Sequence, residues 1–149
     1  MTRYTIDVTE AQAQAIADAL DLYVRVVGLA QLDEVASAHR MHLDLSSEAG
    51  SRAADTLATL MDAAKRCAFG LRSGASRGIH HPDVPASCRV MYDLRRVVRR
   101  ALAERRVAEL EAEGDAEHAM WVRRSVDMDR IAPVGEGPMA RVEVKEGEG

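Results

Sequence analysis

Arginine is the residue type in this chain best placed to do chemistry. Between Lys65 and Arg106 stand eleven basic residues against three acids, Asp83, Asp93 and Glu104, whereas the remainder holds nine basic and twenty-one acidic residues. A chain that is acidic as a whole, at net charge −4, yet gathers Arg on one stretch has built a local anion site. Phosphate-backbone binding rewards a broad positive field, which this charge balance does not provide. The expected ligand is therefore small and anionic, and nucleic acid is not the expected partner.

The basic stretch divides into a loop and a helix. Gly70, Gly74, Gly78, Pro82 and Pro85, with Ser73 and Ser76 among them, make residues 70–86 a loop, and Ile79 and Val84 give it apolar anchors. Small residues let backbone N–H groups approach an anion closely, and the start of a following helix favours negative charge. Arg72, Ser73, Gly74, Ser76, Arg77, Gly78 and His80 are the candidate ligand-binding residues of this loop. On the helix that follows, Arg89, Arg96 and Arg100 share one flank, and Arg95, Arg99 and Arg106 lie on another. Tyr92 stands one turn from Arg89 and Arg96, which puts an aromatic plane within reach of two guanidiniums. Arg offers a planar fork matched to phosphate oxygens and a face that stacks on bases. Arg89, Tyr92, Arg96, Arg99 and Arg100 form the helical part of the candidate site. The same spacing permits local neutralisation, since Asp93 can pair with Arg89 or Arg96 and Glu104 with Arg100.

Other chemistries find less support. His80-His81 are adjacent and have no third ligand at suitable spacing, and His39 and His42 form no zinc pattern either. Cys88, near a helix start and close to Arg, has the setting of a lowered-pKa thiol, but a small buried side chain is the simpler reading. There is no nucleophile elbow, no Walker loop and no dedicated carboxylate pair. The expectation is a binding protein and not an enzyme, with no catalytic residue, no metal and no cofactor.

The elements that must position these residues follow from periodicity. Tyr4, Ile6 and Val8 alternate with polar neighbours and predict a strand over 1–8. Thr9 and Gln12 make a capping box, and the stripe Ile16, Ala19, Leu20, Tyr23, Val27, Leu32, Val35 predicts a helix over 9–43 with a kink or close approach at Gly28. A second helix is predicted over 46–69, stopped by Gly70, and a third over 87–113, stopped by Gly114. Alternation around Val126, Met128 and Arg130, and again at Ala140, Val142 and Val144, predicts a strand pair over 120–145. The expected fold class is α+β, one domain over 1–149: an N-terminal strand, a three-helix middle with a long Gly/Pro loop, and a C-terminal strand pair. With one Phe, one Trp and three Tyr, the core must be built from Ala, Val, Leu, Ile and Met, which gains little per residue buried. A homo-oligomer is expected for that reason. Two cysteines, no long apolar run and no signal-like N-terminus predict a cytoplasmic protein without membrane contact.

Several segments resemble a family of small tailed-phage proteins. They are Val8 to Gln12, Ala19 to Arg25 with Gln31-Leu32, Gly70-Leu71, Gly74 to Pro85, Arg89 to Leu94, Arg99 with Leu102-Ala103, Val126 to Asp129 and Gly137 to Glu143. Within that group the chain is similar to the anti-Thoeris and anti-CBASS nucleotide sponges, small oligomers that sequester cyclic nucleotide immune signals without cleaving them. The resemblance implies an anti-defence protein in the cytoplasm of an infected bacterial host, whose ligand is a cyclic nucleotide or cyclic ADP-ribose-type signal. Arg25 joins the ligand-binding set through its place in the matching stretch. The alternative reading is an oligomeric structural or regulatory protein that uses its Arg-rich helix on an acidic partner or DNA.

Overall fold

The structure, a computed structural model, describes residues 5–125, 133–135 and 140–142. Among these the chain is helical: α1 (Glu10–Tyr23), a π-helical turn (Val24–Gly28), α2 (Asp33–Arg40), α3 (Glu48–Phe69), α4 (Ala86–Ala112) and α5 (Ala116–Ser125). The expected α+β class is thereby overturned. Residues 5–8 are irregular, with Ile6 and Val8 exposed. A strand requires a neighbour for its N–H and C=O groups, and alternation over a few residues supplies none. Residues 120–125, expected in the strand pair, lie in α5, and residues 140–142 are irregular. The predicted strand at Val126, Met128 and Arg130, together with Tyr4 and Val144, lies outside the described residues.

The chain divides into two compact units, Asp21–Arg89 and the combination of Met1–Leu20 with Val90–Gly149. The division falls inside α1 and α4. In the second of these units α1 starts on the expected capping box: the Thr9 N–H donates to Gln12 Oε1 at 2.8 Å, and the Gln12 N–H to Thr9 Oγ1 at 3.3 Å. The C-terminal end of α4 is a Schellman turn. Gly114 takes φ 80°, its N–H reaches the Glu111 carbonyl at 3.1 Å, and the Asp115 N–H reaches Leu110 at 2.8 Å. Asp115 then caps α5, accepting the His118 N–H at 3.1 Å. The resulting helical hairpin closes on Val107, Leu110 and Ala119, with Val122 against them, and Arg123 pairs with Glu111 at 2.7 Å across it.

In the unit Asp21–Arg89, the helix predicted over 9–43 is broken. The π-helical turn ends with the Leu29 N–H on the Val24 carbonyl at 2.9 Å, and buried Ala30 takes φ 57° before α2 begins. This left-handed residue redirects the chain where regular helix would continue. Gly28 serves close approach: a Cβ there would stand 3.1 Å from Cys88 Cβ and 3.3 Å from its Sγ. α3 carries the second predicted helix, capped by Ser47, which accepts the Gly50 N–H at 3.0 Å, and ended by Gly70. α2 packs on α3, and Lys65, buried on α3, reaches Asp33 at the start of α2 at 3.5 Å. The buried apolar residues are mostly Ala and Val, as the composition requires. Among the described residues no helix is long and apolar enough to cross a membrane.

Candidate functional site

The loop between α3 and α4 lies wholly in the unit Asp21–Arg89, and two of its arginine contacts hold it in shape. The Arg77 N–H donates to the Leu29 carbonyl at 2.9 Å, so the loop is tied to the segment after the π-helical turn. The Arg77 guanidinium pairs with Asp83 at 3.1 Å and lies 5.3 Å from the Phe69 ring centroid, with its side chain only 16% exposed. Arg89, at the start of α4, donates to two loop carbonyls, Ile79 at 3.3 Å and His81 at 3.0 Å. Val84 is buried and anchors the loop as expected. Arg25 is similarly occupied. It bridges Asp21 at 3.0 Å and Glu34 at 2.6 Å, which spans the break between α1 and α2. Burial would lower the Arg25 pKa, but the attraction of Asp21 and Glu34 outweighs it and holds the pKa above its ordinary value.

Arg72, Ser73, Gly74, Ser76, Gly78 and His80 are exposed. Gly74 takes φ 73°, while Gly78 needs no such conformation, and a Cβ at either would meet nothing within 4 Å. Arg72 makes no hydrogen bond or ion pair among the described residues. His81 Nδ1 accepts the Asp83 N–H at 3.3 Å, and no group of metal-ligating side chains forms among the described residues.

Along α4 past Val90, in the other unit, the arrangement differs. The Arg96 guanidinium stacks over the Tyr92 ring at 5.6 Å. Arg100 pairs with Glu104 at 2.7 Å, and Arg105 and Arg106 both pair with Glu109, at 3.1 and 3.3 Å. These two cations hold the Glu109 carboxyl below its usual range. Arg99, between the neutralised groups, is exposed and makes no ion pair among the described residues.

Asp93 does what sequence spacing did not anticipate. Its Oδ2 accepts two backbone N–H groups, Val134 at 2.8 Å and Gly135 at 2.7 Å, and it stands 7% exposed. Its Oδ1 has no hydrogen-bond donor, and Arg96 Nη1 stands 4.0 Å away. Asp93 lies between Val90 and Val97 on the apolar stripe, and an acid in that position signals a buried partner. Lys65, between Met61 and Ala68 on the α3 stripe, carries the same signal. Cys88 is fully buried against Gly28, and burial pushes its thiol pKa up.

Compared with protein-family models, curated proteins and solved structures, the chain matches none. The residues themselves must carry the functional argument.

Proposed function

We propose that this protein binds and sequesters a compact anionic nucleotide, a cyclic nucleotide or cyclic ADP-ribose-type signal, without cleaving it. The observation that supports this best is one stretch of α4, where Arg96 stacks on Tyr92 and Arg99 is exposed one turn beyond Arg96. An aromatic plane beside guanidiniums suits a base or ribose next to phosphate oxygens. Neutralisation of Arg100, Arg105 and Arg106 by Glu104, Glu10 and Glu109 concentrates the remaining positive field on a short stretch, which suits a small ligand over a long polyanion. A thiol kept neutral by burial is a poor nucleophile, so Cys88 supplies no nucleophile for cleavage. Within the unit Asp21–Arg89, Leu22, Tyr23 and Val27 are exposed at the π-helical turn, apolar side chains consistent with a homo-oligomer. On the resemblance to phage sponges, the setting is the cytoplasm of an infected bacterium and the ligand an immune signal.

A second reading has its own observation. Met120 and Trp121 on α5 are exposed, and Arg124 lies 5.9 Å from the Trp121 ring. Exposed aromatic and Arg side chains of this kind are common in protein interfaces, so an interaction protein working on an acidic partner is the alternative. Native mass spectrometry of protein incubated with a nucleotide panel, followed by heat release, separates the readings. Recovery of intact nucleotide supports sequestration, altered nucleotide points to an enzyme, and no nucleotide bound leaves the interaction reading.

A further inference from the structure

Within the unit Asp21–Arg89, α2 is poorly equipped to hold itself. It has 8 residues, too few for a helix to persist alone. Leu32 at its N-cap position offers no side-chain acceptor to the first-turn N–H groups. None of its residues is buried, and Val35 and Ala36 are only half-buried. What it has instead is a pair of adjacent acids in its first turn, each met by a cation from a different element. Glu34 pairs with Arg25 of the π-helical turn at 2.6 Å, and Asp33 pairs with Lys65 of α3 at 3.5 Å. Residues 41–47, which follow α2, form no regular element, and left-handed Ala30 stands just before it.

Lys65 is the other half of the arrangement. Lys65 and Lys145 are the only lysines in a chain whose other basic residues are Arg. The Lys65 side chain is 2% exposed, its ammonium makes no hydrogen bond among the described residues, and Asp33 is its one ion pair there. An ammonium buried with a single carboxylate at that distance is incompletely compensated for the water it has lost. Movement of α2 away from α3 would restore that water. It would strand no other charge, since Arg25 keeps Asp21 at 3.0 Å and the Asp33 side chain is already 64% exposed. We propose that α2 is a flap over Lys65, latched by the Asp33 and Glu34 ion pairs and released where salt screens them. Closed, it keeps the Lys65 amine from solvent; open, it presents a hydrated ammonium on α3, with three N–H donors free for an anion. The flap does not depend on the nucleotide reading.

Acetylation of Lys65 by an uncharged amine-reactive ester, followed by peptide mass spectrometry, tests this, with a free peptide of residues 62–68 as the reference. At about 0.01 M salt, Lys65 in the full chain is expected to react at least roughly tenfold more slowly than in the peptide. Raising salt to about 1 M, where charges are screened beyond a few ångströms, should speed the reaction roughly threefold or more relative to the peptide. Glu34→Gln, which removes one latch without touching Lys65, should give a similar gain at low salt. Hydrogen exchange should show α2 amides opening under both conditions while α3 amides stay protected. Reaction at the peptide rate in low salt overturns the cover. A slow rate that neither salt nor Glu34→Gln changes overturns the latch. A gain matched by equal loss of protection along α3 means that the whole unit unfolds, and overturns the flap. If Glu34→Gln fails to fold, the salt series on the wild-type chain still decides.

Discussion

In the unit Asp21–Arg89 three arginines, Arg25, Arg77 and Arg89, turn their guanidiniums onto partners of that unit, and α4 beyond Val90 leaves part of its set facing out. Arg25, Arg77 and Arg89 donate to carboxylates and loop carbonyls of their own unit. Arg99 stands exposed on α4, and Arg96 is spread over Tyr92. All five belong to the candidate ligand set and carry the same charge. What separates them is the local supply of acceptors. A loop leaves backbone carbonyls without helical partners, and Arg satisfies several of them at once. A helix interior has no spare carbonyls, so its arginines pair with acids one turn away or remain open to a ligand. A cluster of Arg in sequence is thus two populations with different work.

Substitutions at the two ends of this contrast should separate stability from binding. Arg77→Ala is expected to have the largest effect on stability, about 2–3 kcal/mol in urea unfolding, because it removes the Asp83 pair and the Phe69 contact from a mostly buried side chain. A loss under about 0.5 kcal/mol would mean that the loop does not depend on its inward arginine. Arg99→Ala should do the reverse. Its stability should stay within about 0.5 kcal/mol of the parent, while nucleotide affinity falls about ten- to hundred-fold, the worth of one charge-assisted phosphate contact. Calorimetry showing equal affinity would move the ligand away from α4.

Acid should act on the helix ends through the carboxyls that cap them. Asp115 is held below its ordinary carboxyl pKa, first by the His118 N–H and then by the His118 side chain, and Asp44 is lowered by its bonds from Ser46. A carboxyl lowered in the folded state stabilises above its unfolded pKa, and that contribution disappears as pH falls through the folded value. Stability should therefore decline below about pH 4, where unperturbed carboxyls begin to protonate. Asp115→Asn should flatten part of that decline, with melting followed from pH 6 to pH 2.5. An unchanged slope would remove Asp115 from the account.

Local signals were legible in the sequence and directional ones were not. The capping box at Thr9 and Gln12, the stop at Gly70 and the stop at Gly114 all stand where the residue types require. The break after Gly28 was only half legible. Gly28 gave a kink and a close approach, but the left-handed residue is Ala30, and alanine gives no hint of positive φ. After Gly114, the alternation that predicts strands over 120–145 masks the cap at Asp115, and the predicted span overlaps α5 only from residue 120 to Ser125. At the site, charge counting found the basic stretch but could not tell Arg77 from Arg99, because pairing with Asp83 and Phe69 depends on how the loop folds back. Asp93 was legible in principle, as an acid on an apolar stripe, yet its partners lie too far along the chain for spacing to reveal.

The smallest effects should come from the two loop glycines, and they sharpen the contrast between a braced loop and an open helix. Gly74 holds φ 73° with open space around it, whereas Gly78 sits in an ordinary backbone region with equal room. Alanine at Gly74 meets no clash but must adopt a left-handed conformation, which costs about 1 kcal/mol. Alanine at Gly78 bears no such cost and should gain a few tenths of a kcal/mol by restricting the unfolded chain. If the loop is only a brace for α4, both substitutions leave nucleotide affinity unchanged and differ only in melting. If its exposed backbone also meets a phosphate, Gly78→Ala lowers affinity while its melting temperature stays level or rises. Melting and calorimetry on the two variants side by side decide whether the loop is a brace alone or also meets a ligand.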